Sequence, residues 1–267
     1  MASDEPSYDA TYDLFDSPVM SQVRRDVYGR DFGQHSWVTV EELEHHIDTL
    51  ALAPTSRLLD FGCGPGGPLT FVIERAACFG LGIDVSRPAL ASARVRITAA
   101  GLGERITVVE TEAGEPLPAA DASIDAAMAL DVILHVPDRI AVFREIARVL
   151  KPGGRYLFTD AGVLTGPVSV GELMLRAPHG PTQVVPVGVN ECLLAQAGFR
   201  DITCRDRTDM LAAVASRRLA SRQAHRAELE ALEGAARFAR QLQYLETVAG
   251  LAVRGALSRF EYVAVSG

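Results

Sequence analysis

Residues 58–68, Leu-Leu-Asp-Phe-Gly-Cys-Gly-Pro-Gly-Gly-Pro, set an apolar run, a carboxylate and four glycines ahead of a helical pattern at 69–75. Strand, glycine turn and helix in that order open a nucleotide-binding βαβ unit. A side chain in the turn would hold a ligand off the backbone and oppose positive φ. The spacing Gly62-x-Gly64-x-x-Gly67 also fits a dinucleotide fingerprint, so the glycines alone leave the ligand open. Asp60 narrows it. A carboxylate two residues before Gly62 can face a cationic amino group, whereas a pyrophosphate prefers bare N–H groups and a helix N-terminus. Pro65 also removes one N–H donor that a diphosphate would use.

Later in the chain Lys151-Pro152-Gly153-Gly154 lies between a helical pattern and an apolar strand. Together with Asp60-x-Gly62-x-Gly64-Pro65-Gly66, it resembles the class I methyltransferases that use S-adenosylmethionine, over roughly residues 30–205. The resemblance implies an α/β, Rossmann-like, doubly wound sheet of seven strands. These are mostly parallel with the last strand antiparallel. An α-helical cap is added to that core. It also implies S-adenosylmethionine as cofactor, with Asp60, Gly62 and Gly64 in its site.

A chain of 267 residues can bury one large core in one or two domains, and 48% hydrophobic with 22% charged residues is ordinary globular composition. A net charge of −8, without a basic stripe among aromatics, argues against nucleic acid as partner. Cys63, Cys78, Cys192 and Cys204 are too far apart for a C-x-x-C site and too few for a disulfide framework. They read as reduced thiols of a cytoplasmic protein. The opening Met1-Ala2-Ser3-Asp4-Glu5-Pro6 lacks the apolar core of a signal peptide, and no apolar run reaches membrane-spanning length.

The chain divides into an N-terminal helical lid at 1–50, a core at 51–207 and 257–267, and a helical cap at 208–256. In the lid, a helix is expected from 16 or 17 to about 28, preceded by Tyr8, Tyr12 and Phe15 at helical spacing. Gly33-Gln34-His35-Ser36-Trp37 puts the chain's only Trp in a polar loop, which suggests a binding surface. The resemblance gives Trp37, and less directly Gln34 and His35, the role of covering the methionine part of the cofactor, and Gln34 and His35 are assigned to the acceptor side. The competing reading of Trp37 is an anchor for the N-terminal segment. A helix at 41–50 carries His45 and His46, which as neighbours point apart, cannot form a metal pair and read as surface residues. No metal site is expected.

A second strand at 78–83 ends in Asp84, 22 positions after Gly62, where a carboxylate suits ribose hydroxyls. Alternatively, Asp84 caps the helix that follows Ser86-Arg87-Pro88. With the ribose role, Val85 would pack on adenine. After a third strand at 106–109, Glu112-Ala113 matches the family's acidic-Ala pair for the adenine edge, with Glu where most relatives carry Asp. A fourth strand at 124–130 runs into Asp131 and His135, which therefore face the crevice, Asp131 toward the cofactor. A helix at 138–150, stopped at 151–154, leads to a fifth strand at 155–159 with Asp160 after its end.

The 162–188 segment is long for a connection and partly apolar, so Met174 and His179 are assigned to an acceptor pocket. A helix at 190–197, a strand at 199–207, helices with breaks at Gly234 and Gly250, and a strand at 260–265 complete the chain. Arg217, Arg218, Arg222, Arg226, Arg237 and Arg240 read as a solvated face of a cap or homodimer surface, the alternative being an anion site.

Methyl transfer needs alignment, and a base only when the nucleophile starts protonated. His135 is the first candidate base and Asp160 the second, as base or as orienter of His135. The expected activity is methyl transfer to an O, N or activated C atom of a small, partly apolar metabolite, as in natural-product biosynthesis. The alternatives are a nicotinamide oxidoreductase, a non-catalytic cofactor-binding module, and a cyclase that exploits the cofactor's positive charge.

Overall fold

A computed structural model describes residues 8–111, 114–177 and 182–267. Three helices lead the chain: α1 (Tyr8–Tyr12), α2 (Pro18–Tyr28) and α3 (Val40–Leu50). Pro18 opens α2 and Gly29, at φ 77°, closes it. Thr39 and Glu42 form a capping box at the start of α3.

The α/β part follows as β1 (Arg57–Phe61), α4 (Gly67–Ala76), β2 (Phe79–Asp84), α5 (Arg87–Ala99), β3 (Ile106–Glu110), β4 (Ile124–Leu130), α6 (Arg139–Val149) and β5 (Leu150–Leu164). After it come α7 (Val170–Arg176), the two-residue β6 (Val185–Pro186), α8 (Val189–Gln196), β7 (Phe199–Asp206), α9 (Thr208–Ala224), α10 (Arg226–Glu233), α11 (Ala235–Val253) and β8 (Leu257–Ser266).

The sheet runs β3-β2-β1-β4-β5-β8-β7, with β6 paired to β5. Strands β1 to β5 pair parallel, and β8 is antiparallel to both neighbours. The seven principal strands and the antiparallel β8 agree with the expected class I architecture. β4 is buried along almost its whole length, as a central strand covered on both faces must be. Leu43, Leu69, Val72 and Leu90 fill one side of the sheet, and Phe143, Ile146, Tyr156 and Phe158 the other. A further apolar cluster joins α2, Trp37 and Ala161 to Leu211, Val214, Phe238 and Leu245 of the last helices.

Four sequence expectations change. β5 is far longer than 155–159: it begins at Leu150, so 151–154 lie within it, and Asp160 is an interior strand residue. Gly250 does not interrupt α11, whose flanking residues bury against β8 and the other helices; the breaks fall at His225 and Gly234. The final strand starts at Leu257, before the expected 260. His46 is a buried residue whose Nε2 meets Glu261 Oε2 at 3.1 Å. Helix periodicity turns it inward while leaving His45 half-exposed.

Candidate active site

A cavity of about 530 Å³ lies at the C-terminal ends of β1 and β4, where the strand order reverses and open α/β sheets take their ligands. One end is the glycine turn. Gly62 and Cys63 donate their N–H groups to Ile83 O at 2.8 and 3.0 Å, tying the turn to β2. Gly62 has φ 73°, and a Cβ there would fall 2.4 Å from Val132 Cγ2, so only glycine fits. A Cβ on Gly67 would fall 2.2 Å from Phe32 O, which explains how closely α4 meets the loop before it.

Asp60 lines this end and is buried. Burial, with the neighbouring Asp84 charge, pushes its carboxyl up to about 8. Asp84 Oδ2 accepts from Gly64 N–H at 2.8 Å and Oδ1 from Ser86 N–H at 2.9 Å. Burial raises this carboxyl too, against those two N–H groups. A carboxylate has about four lone-pair sites, so Asp84 braces the turn and keeps acceptor capacity for a ligand. Ser86, rather than Asp84, supplies the side-chain cap of α5. Val85 is exposed at the rim.

Asp131 stands just after β4 at φ 57° and lines the cavity. Oδ2 accepts the Trp37 N–H at 2.9 Å and Oδ1 accepts from Arg259 Nε at 2.8 Å. Arg259 continues to Glu42 Oε1 at 2.7 Å. Asp131 therefore clasps the 33–37 loop while still lining the cavity. Trp37 lines the cavity and also joins the apolar cluster with α2. His35 lines the cavity, edge-on to Tyr12 at 5.3 Å. Gln34 is only 1% exposed, lines the cavity, and neither amide atom has a hydrogen-bond partner among the described residues.

His135 ends a short 3-10 helix, Ile133–His135, and lines the cavity. Asp160 does not line it. It is 0% exposed and bound to Arg139, to Asn190 Nδ2 at 2.9 Å and to Gly162 N–H at 2.8 Å. With its oxygens spent on a buried ion pair, it can neither take a proton from an acceptor nor orient His135. Met174 is 73% exposed on α7 and outside the cavity wall, because the short helix turns Arg176 inward instead. Glu112, Ala113 and His179 lie outside the described residues.

The far end is what the sequence reading missed. Met20, Val23, Val27 and Leu245 give it apolar walls, and Tyr28, Tyr244, Arg176, Arg218, Arg222 and Arg237 add polar groups. Arg218, Arg222 and Arg237 were expected on a solvated face. Positions 211, 214, 215, 218 and 222 share one helical stripe, so the apolar residues at its start carry the two arginines inward. Arg218 sits 4.4 Å over the Trp37 ring and donates to Tyr28 Oη and to the carbonyls of His35 and Ser36. Arg222 pairs with the buried Glu233. Arg237 Nη2 donates to Ala10 O and Thr11 Oγ1 at 3.1 Å, holding α1 against α11.

Residues 59–158 match the family described as a methyltransferase domain. Over these residues the chain is similar to the S-adenosylmethionine-dependent methyltransferases. The methyltransferase GfsG of Streptomyces halstedii is 38% identical over 120 residues, which cover 45% of this chain and 42% of that protein. The chain thus spans less than half the length of that relative. The 27-O-demethylrifamycin SV methyltransferase of Amycolatopsis mediterranei is 29% identical over 202 residues, 74% of each chain. Among solved structures, the [4+2]-cyclase SpnF has a TM-score of 0.78 at 24% identity, covering 98% of both chains, and shares the fold. The match to a methyltransferase domain implies S-adenosylmethionine as the cofactor. The site suits it: a buried carboxyl beside a glycine cradle, with its burial uncompensated, fits a ligand carrying an ammonium. The match favours S-adenosylmethionine over the nicotinamide alternative. Among the described residues no helix is long and apolar enough to cross a membrane.

Proposed function

We propose that this methyltransferase methylates an oxygen, nitrogen or activated carbon atom of a small, partly apolar metabolite in secondary metabolism. The observation that carries the reading is one cavity with two unlike ends. A glycine turn with carboxylates, an apolar wall with polar groups, and His135 all line it. The relative named for methylation of 27-O-demethylrifamycin SV fits the same reading.

The cofactor, when bound, supplies an electrophilic methyl group and a neutral thioether leaving group. Everything else falls to the chain. Asp60 would meet the amino group, Asp84 the ribose hydroxyls, and Val85 and Trp37 would flank the two halves. Residues 1–50 would act as a lid, tied across the cavity by Arg237 to α1 and by Arg218 to the 33–37 loop. Residues 208–256 would form the acceptor cap on the core of 51–207 and 257–267. Excluding water there strengthens alignment of the nucleophile with the methyl carbon. His135 would take the acceptor's proton on an imidazole nitrogen as the new bond forms.

Incubation with methyl-labelled S-adenosylmethionine and a bacterial metabolite extract tests this. Label in a small-molecule product, heavier than its precursor by one methylene, is the expected result. Label confined to protein or nucleic acid would overturn it. A product of unchanged mass formed only with cofactor present would favour cyclisation, which the shared fold with SpnF leaves open.

A further inference from the structure

The two ends of the cavity carry opposite charge. Asp9, Asp60 and Asp84 line the turn end. At the far end α7, α9 and α11 present Arg176, Arg218, Arg222 and Arg237, and α10 adds the carboxylate Glu233. Glu233 is committed to Arg222, with Arg237 at 3.9 Å. Arg218 has phenol and carbonyl acceptors but no carboxylate.

Arg176 is the extreme case. It is 3% exposed, yet its hydrogen bonds go to Tyr244 Oη at 3.3 Å and Ala161 O at 3.4 Å, both weak and both to neutral groups. Its Nε has no partner among the described residues. A guanidinium has five donors and cannot shed its charge, so burying one without an anion is costly. Its carbon stem is short of alternatives, because α7 ends at Arg176 and its side chain already reaches Ala161 in β5. Gln34, with its amide unpartnered on the same cavity, is a second polar group awaiting a ligand.

We infer that Arg176, with Tyr244 beside it, anchors an anionic group of the acceptor, a carboxylate or a phosphate, and makes the enzyme selective for acidic metabolites. The inference rests on the reading of this cavity as an acceptor site. The cation over Trp37 and the excess of guanidiniums on α9 and α11 extend the positive field that would draw such an acceptor in. The acceptor then lies with its charged group at the cap and its nucleophile toward His135. Opposite polarity at the two ends also keeps the acceptor's anion away from Asp60 and Asp84.

The test uses protein loaded with S-adenosylhomocysteine and the probes benzoate, phenyl phosphate and neutral benzamide. Trp37, the chain's one tryptophan, lines the cavity and reports binding by its fluorescence. At least one anion should bind about tenfold or more tightly than benzamide, and Arg176→Gln should erase that preference, consistent with loss of a charge-assisted bond. Which anion binds better assigns carboxylate or phosphate. Arg176→Lys should restore part of the preference, because it keeps the charge and loses the fork. Equal binding of all three probes to the unaltered protein, or an unchanged preference in Arg176→Gln, would overturn the inference. S-adenosylhomocysteine affinity is read in parallel: its absence in the unaltered protein would defeat the methyltransferase reading itself. If Arg176→Gln alone loses it through misfolding, Tyr244→Phe carries the comparison, with a weakened anion preference expected and an unchanged one overturning the inference.

Discussion

The backbone N–H of Gly64 donates to Asp84 Oδ2 at 2.8 Å, so the glycine turn and the end of β2 are held as one unit. Asp84→Ala should weaken S-adenosylmethionine binding by roughly 1.5–3 kcal/mol or more through lost charge-assisted bonds. The turn should also loosen, lowering the melting temperature without ligand. Calorimetry that finds unchanged affinity would take Asp84 out of the site.

Asp60 gives a pH dependence with a definite sign. Its carboxyl is raised to about 8 in the fold, above its ordinary value of 3.8. The folded state therefore holds a proton that the unfolded state releases, and this group's contribution to stability declines as pH rises from about 4 through 8. A bound ammonium reverses the preference by favouring the carboxylate. Cofactor binding below pH 8 should release a proton, and affinity should increase with pH up to that point. Calorimetry in buffers of different ionisation enthalpy reads the release directly; none between pH 6 and 8 would separate Asp60 from the amino group.

His135→Ala should lower kcat by roughly 10²–10⁴-fold if the imidazole is the general base. S-adenosylhomocysteine affinity should hardly change, because the ring is assigned to the acceptor. A turnover within a few-fold of the unaltered enzyme would leave alignment as the sole source of rate.

Asp160 should behave as a structural residue. Asp160→Ala strands Arg139 in the interior, and breaking a buried pair in this way costs about 3–5 kcal/mol. Chemical denaturation should show that loss, while turnover per folded molecule stays close to normal. A collapse of kcat with stability intact would return Asp160 to the chemistry.

Met174→Asp offers the opposite contrast. The residue is exposed on α7 and outside the cavity wall, so the change should stay within about 0.5 kcal/mol in stability. Activity should also persist. Strong loss of activity would mean that α7 closes over the acceptor during turnover.

Local signals were easy to read where the backbone itself forms the site. The turn at 62–67, Asp84 at the end of β2 and the run of β4 into Asp131 and His135 depend on strand, glycine and position, all visible in one dimension. Long-range partners were not. Nothing near Asp160 announces Arg139 or Asn190, and the resemblance to families that use this position for catalysis pointed the wrong way. The arginines of α9 looked solvated because charge outweighed the helical stripe they share with Leu211 and Val214. His46 faced a similar ambiguity, resolved only by Glu261, which lies 215 residues further on.

The position of β8 has a consequence for how the molecule is made. It is the last strand of the sheet in sequence, yet it fills a slot between β5 and β7. It also brings Arg259, whose contacts reach back 128 residues to Asp131 and 217 to Glu42. During synthesis the first five strands can assemble while β5 still shows a bare hydrogen-bonding edge. The 33–37 loop meanwhile lacks half of its clasp. Ligand-binding competence should therefore arrive in a single late step, when β8 docks between β5 and β7, instead of growing with the nascent polypeptide.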